Sequence, residues 1–172
     1  MNYAKINLFD IANGPGIRVS LFVSGCRLNC PGCFNKEAHD FNFGNKLDED
    51  KIDLILNNFL NDKSNYYSGL SILGGEPLQQ DEEGLKQLLY LIDKTHLLGK
   101  DVWLWTGFDW TNIMHNGSNM QKLILLNCNY VVEGKFDINK LDLSLAWRGS
   151  SNQNIIDVSA TKECGEICYK ED

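Results

Sequence analysis

The chain switches between two hydrophobic periods, and the switching predicts its elements. Ile17, Val19, Leu21 and Val23 stand at every second position with Arg18, Ser20 and Phe22 between them, the period of a strand. Ile52, Ile55, Leu56, Phe59 and Leu60 fall three and four apart, which predicts one buried face of a helix. Residues 69–73 predict a second strand. Leu85, Leu88, Leu89 and Ile92 repeat the helical spacing, with Gly99 suited to the chain exit after it. Residues 102–105 predict a third strand, and Met120, Leu123 and Ile124 a third helix. Residues 130–132 and 154–158 predict a fourth and a fifth strand.

Strands alternating with helices imply βαβ units and a parallel sheet. A closed eight-unit barrel needs about 250 residues, and this chain has 172. The expected fold is therefore α/β, a partial (open) β/α barrel with a mainly parallel, curved sheet. It is expected to occupy residues 1–158, with 159–172 as a polar C-terminal tail. Ligands in such folds gather at the carboxyl ends of the strands. The segments that follow the first four predicted strands are the unusual ones. They are a cysteine loop, Gly74-Gly75-Glu76-Pro77, Thr106-Gly107 and Glu133-Gly134-Lys135. One site on one rim is the expectation.

The cysteine loop carries the chemistry. Cys26, Cys30 and Cys33 form a C-x3-C-x2-C run directly after the first strand. Three thiolates so close together can hold three irons of a cubane cluster and leave the fourth iron without a protein ligand. Sites that only carry electrons usually have four cysteines, whereas catalytic metal sites keep an open position. Zinc is the competing reading, but it needs a fourth ligand, and the nearest histidine, His39, lies six residues past Cys33. A disulfide framework fits less well, since six cysteines are spread over 172 residues. Met1-Asn2-Tyr3-Ala4-Lys5 has no signal-peptide pattern, and there is no apolar run of transmembrane length. The expected setting is a reducing cytoplasm with no membrane contact.

Composition narrows the class further. The formal charge of −7 argues against nucleic acid as a partner, because phosphate binding runs on clustered Lys and Arg. The three prolines, Pro15, Pro31 and Pro77, all sit in glycine-containing loops, which marks those loops as special turns.

At these residues the chain resembles the radical S-adenosylmethionine (SAM) superfamily, whose two hallmarks are the C-x3-C-x2-C loop and a downstream Gly-Gly-Glu-Pro. Within it, the chain is similar to the activators of anaerobic ribonucleotide reductases, from Met1 to about Gln153. Matching blocks include Asn13-Gly14-Pro15-Gly16, Trp103-Leu104-Trp105-Thr106-Gly107, Val132-Glu133-Gly134-Lys135-Phe136 and 147–153. The resemblance implies a [4Fe-4S] cluster on Cys26, Cys30 and Cys33, with SAM on the open iron. It implies SAM contacts from Phe34, Gly74, Gly75, Glu76, Thr106, Glu133 and Lys135. It implies reductive cleavage of SAM to a 5′-deoxyadenosyl radical, which abstracts hydrogen from a glycine of the large catalytic subunit of the reductase. A one-electron donor such as flavodoxin would supply the electron. The pattern departs in two places. Gly32 stands where an aromatic often precedes the last cysteine, and Glu133 stands where many relatives carry Asp. Alternative functions are activation of another glycyl-radical enzyme of the formate-lyase type, and a non-catalytic iron–sulfur or zinc binding module.

Other conspicuous residues have plainer readings. Trp103, Trp105 and Trp110 are expected to pack in the core, and Cys128 to be a buried small apolar residue. His39, His96 and His115 receive no catalytic role. Asn13-Gly14-Pro15-Gly16 and the polar Arg148, Asn152 and Gln153 are either turns or contacts to SAM or the partner. Cys164 and Cys168 are too few for a second cluster, and stand either as two tail thiols or as a redox or ligand pair.

Overall fold

The helices begin where the sequence supplies a cap. In the computed structural model, which describes residues 1–170, α1 (Glu49–Leu60) starts at Asp48, whose side chain accepts from Lys51 N–H. Asp81 does the same for α2 (Glu82–Leu97) through Gly84 N–H, and Asp109 for α3 (Trp110–Asn116) through Asn112 N–H. A reciprocal capping box joins Ser118 and Gln121 at the head of α4 (Asn119–Asn127). Asp157 caps α5 (Val158–Cys164), which ends at Gly165 in the left-handed conformation.

The strands are β1 (Asn2–Asp10), β2 (Ile17–Val23), β3 (Asn45–Lys46), β4 (Tyr67–Gly74), β5 (Asp101–Trp105), β6 (Tyr130–Glu133) and β7 (Asn154–Asp157). They form one open seven-stranded sheet in the order β3-β1-β2-β4-β5-β6-β7. The four central strands β2, β4, β5 and β6 are parallel. The outer pairings, β3 with β1, β1 with β2, and β6 with β7, are antiparallel. The sheet is thus parallel in its middle and antiparallel towards both edges, and it does not close into a barrel.

Register decides what each face carries. Val19, Leu70, Val102 and Val131 lie on one face, where residues from all five helices bury against them, including Ile55, Leu88, Ile113, Ile124 and Val158. The other face carries Arg18, Ser20, Ser71, Trp103, Trp105, Val132 and Ile155. Trp103, Val132 and Ile155 form a separate small core there, with Trp105, Tyr130 and Trp147 packed against it. Arg18 is fully buried on this face. It bonds Ser71 Oγ at 2.7 Å and the Leu70 carbonyl at 2.9 Å, and pairs with Asp101.

Several elements depart from the sequence expectation. β1 pairs with β2 through two register irregularities, so its side chains lose the period of two. β3 has two residues, and α3 and α5 have seven each, too short for a helical repeat to show. Leu60, placed on the buried face of α1 by spacing, is 64% exposed at the helix end. Trp103 and Trp110 are buried, and so is Cys128. After α5 the chain folds back, with Asp157 N–H donating to the Cys168 carbonyl and Lys170 N–H to the Ile155 carbonyl. Residues 171 and 172 of the expected tail lie outside the described residues. No helix among the described residues is long and apolar enough to cross a membrane.

Candidate functional site

The carboxyl ends of β2, β4, β5 and β6 open onto one cavity of about 380 Å³, within the size range of ligand pockets, roughly 300–1,000 Å³. Its wall includes all three clustered cysteines, Gly74, Gly75 and Glu76, Thr106 and Gly107, and Gly134. The segments that sequence placed on one rim therefore meet. Ala12 and Asn13 close one side, and Trp147, Arg148 and Gln153 close another.

The cysteine loop and the Gly-Gly-Glu turn are held together through their backbones. Gly75 N–H donates to the Val23 carbonyl at 2.7 Å, and Glu76 N–H to the Gly25 carbonyl at 2.8 Å. A Cβ on Gly75 would stand 2.7 Å from the Gly25 oxygen, so only glycine permits this approach. Gly74, at φ +105°, makes the turn out of β4. Gln80 ties the underside, donating to the Ser24 carbonyl at 2.9 Å and to the Glu76 carbonyl at 3.1 Å.

Cys26, Cys30 and Cys33 are half-buried thiols that face the cavity. Burial pushes the Cys26 thiol up, and the nearby Glu76, Cys30 and Cys33 charges push it further, against a Leu28 backbone hydrogen bond. Burial also raises Cys30, while the Lys135 ammonium acts in the opposite direction. The Cys26 and Cys30 thiols therefore hold their protons more tightly than ordinary thiols, and a metal is what would strip them. Asn35 N–H points at Cys33 Sγ at 3.4 Å, a contact suited to a thiolate. Among the described residues no group of three or more His, Cys, Asp or Glu is gathered as for a single metal ion. A cubane asks for a different arrangement, with each thiolate on its own iron around one space.

Glu76 is buried, and burial pushes its carboxyl up to about 7 against three protein donors. Those donors are Leu78 N–H at 3.0 Å, Thr106 Oγ1–H at 2.8 Å and Gly107 N–H at 2.8 Å. The side chain thus joins the turn after β4 to the turn after β5. Thr106 is engaged on both sides, since its hydroxyl also accepts from Phe108 N–H at 3.1 Å. The remaining expected residues divide. Phe34 lines the cavity, two-thirds exposed, with its ring 5.2 Å from that of Phe136. Lys135 is exposed beside Cys30 but is not part of the cavity wall. Glu133 is buried behind it, accepting from Trp110 N–H and from the Asn154 amide. His39, His96 and His115 are absent from the wall.

Sequence reading passed over Leu28, Asn35, Phe136 and Leu145, which also line the cavity. Asn35 follows the last cysteine by two residues, and that proximity was the available signal. Leu145 lies in a segment with no period and could be placed only by the fold. Gln153 proves to be a latch. Its side-chain Oε1 accepts from Gly149 N–H at 2.9 Å and Ser150 N–H at 3.2 Å, while its side-chain Nε2–H donates to the Gly134 carbonyl at 3.0 Å.

Comparison with known proteins adds to this geometry. The 4Fe-4S single cluster domain family matches residues 12–156. The anaerobic ribonucleoside-triphosphate reductase-activating protein of Escherichia coli K12 is 41% identical over 155 residues, covering 89% of this chain and 96% of that protein. The protein of that name from Pasteurella multocida is 39% identical over 157 residues, covering 90% and 96%. The one from Enterobacteria phage T4 is 33% identical over 156 residues, covering 90% and 93%.

Proposed function

The chain belongs to the family of anaerobic ribonucleoside-triphosphate reductase-activating proteins, and from that premise we propose that it is a radical SAM enzyme of the cytoplasm that makes the glycyl radical of its reductase. The observation that carries this reading is the cavity wall. It holds three cysteines and, against them, a glycine turn whose backbone is free of side chains. Three thiols on one cavity suit a [4Fe-4S] cluster with one iron left open. Helices on a single face of the sheet suit a partial barrel, with the ligand side left open to a protein segment.

A [4Fe-4S] cluster held there would supply the electron for reductive cleavage of SAM to methionine, and the 5′-deoxyadenosyl radical so formed would take hydrogen from a glycine of the large reductase subunit. The chain's own residues would do the rest. Cys26, Cys30 and Cys33 would hold three irons. The backbone of Gly74 and Gly75 would face the methionine amino group. Glu76 would fix that turn to Thr106 and Gly107 and place a carboxylate near the same cation. Lys135 would balance negative charge at Cys30 as a point charge. Glu133 would position α3 from behind the wall. Phe34, with Phe136, and Trp105 would limit water around the reacting atoms.

The test joins the reconstituted protein to the large reductase subunit with SAM and a one-electron donor such as reduced flavodoxin. The expected result is a protein glycyl radical by electron paramagnetic resonance, with one 5′-deoxyadenosine formed per radical. Deoxyadenosine without a radical on the reductase, but with one on a formate-lyase-type enzyme, would move the assignment to that partner. No deoxyadenosine at all would favour a plain cluster-binding module.

A further inference from the structure

We propose that Cys164 and Cys168 form a second redox site, a dithiol that exchanges two electrons with disulfides at the end of the sheet opposite the cluster. Position separates the two sites. β7 runs antiparallel to β6, so Asn154 pairs with Glu133 at the cavity end while Asp157 pairs with Tyr130 at the far end. Asp157 N–H donates to the Cys168 carbonyl at 2.9 Å, which fixes Cys168 at that far end. The pair therefore cannot supply a ligand to a cluster on Cys26, Cys30 and Cys33.

The fold brings the two sulfurs together. Cys164 is the last residue of α5, and Gly165 at φ +77° turns the chain back. Ile167 packs on the main core, and Cys168 N–H donates to Thr161 Oγ1 at 3.0 Å. Tyr169 then bridges to Ile156 along the edge of β7. The result is an Sγ to Sγ distance of 2.7 Å, well short of an ordinary non-bonded contact and about 0.7 Å beyond a disulfide bond. Both thiols are accessible, Cys164 exposed and Cys168 half-buried, whereas Cys128 is sealed in the core.

Charge sets the direction of exchange. The contact with Cys164, helped by burial and by the Asp157 and Glu166 carboxylates, pushes the Cys168 thiol up to about 11. A dithiol in which one thiolate is disfavoured gains by becoming a disulfide, the reverse of the strongly oxidising pairs whose reduced form is stabilised. The site should therefore reduce disulfides rather than form them. The more exposed Cys164 attacks one sulfur of R–S–S–R, expels one thiolate and leaves a mixed disulfide. Cys168 then attacks the Cys164 sulfur, closes the internal bond and expels the second thiolate. The pair loses two electrons, the disulfide gains two, and the two dithiol protons leave on the two released thiols.

The cluster-loaded protein tests this anaerobically with two probes, oxidised glutathione and insulin, as a small and a protein-borne disulfide. Trypsin after Lys162 and Lys170 yields one peptide, 163–170, that contains both cysteines. The expected result is that this peptide resists alkylation and is lighter by two hydrogens, with about one equivalent of probe disulfide reduced. Reaction with insulin alone would assign a protein disulfide as substrate, and with glutathione alone a small one. Cys168→Ser should trap one glutathione on Cys164 and leave iron content unchanged. Two freely alkylated cysteines after both probes, or loss of iron in the variant, would overturn the proposal.

Discussion

The two faces of the central sheet are made from alternate residues of the same strands, yet they do different work. The helix-covered face is aliphatic and sealed, with Val19, Leu70, Val102 and Val131 buried under the five helices. The open face carries a buried arginine, two serines and a cluster of aromatics, and above them the cavity with its thiols. One face gives stability by removing apolar area from water. The other accepts polar burial and unfilled space, both of which cost stability, and this is where chemistry is possible. Changes on the first face should therefore cost folding and spare the site, and changes on the second should do the reverse.

The strongest way to break that division is Cys26→Ala. We expect iron retention near zero and a fall in SAM cleavage of more than about a hundredfold, beyond what outer-shell changes usually cost, with an unchanged urea midpoint for the metal-free protein. Gly75→Ala should come next among site changes. Its Cβ would meet the Gly25 oxygen at 2.7 Å, so the turn must shift, and we expect tighter losses in SAM affinity than in iron content. On the opposite face, Leu88→Ala at a fully buried position should cost about 2–5 kcal/mol in urea unfolding while iron content per folded molecule holds.

Glu76 sharpens the comparison through pH. In the metal-free protein its folded carboxyl titrates near 7 against an ordinary 4.5. Between those values the folded state binds the extra proton, so stability is fully present below the lower value and is lost as pH rises through the upper one. The loss is at most about 3 kcal/mol at 1.36 kcal/mol per unit. Urea midpoints at pH 5 and pH 8 should show it, and Glu76→Gln should flatten it. An equal slope in the variant would assign the effect elsewhere. The smallest effect belongs to Leu60→Ser, on the exposed end of α1, where we expect a change within about 0.5 kcal/mol.

The same two faces explain what the chain disclosed in advance. The helix side followed from spacing, because a sealed aliphatic face must repeat with the period of its element. The central strands, α1, α2 and α4 were all visible that way. The open side disclosed itself through chemistry, since three cysteines, a double glycine and Thr106-Gly107 are unusual wherever they fall. What stayed hidden depends on tertiary context. β1 breaks its own period with two bulges, α3 and α5 are shorter than a repeat, and Leu145 reaches the cavity through a loop with no pattern. Thr106 and Glu76 were both expected at the site, but only the fold shows them bonded to each other.

The central claim is that three cysteines leave an iron open to SAM. The direct measurement is the electron paramagnetic resonance spectrum of the anaerobically reconstituted, reduced protein, recorded with and without SAM. The account predicts a four-iron signal that shifts on addition of SAM and is followed by release of 5′-deoxyadenosine. A four-iron signal indifferent to SAM, with no deoxyadenosine formed, would contradict it.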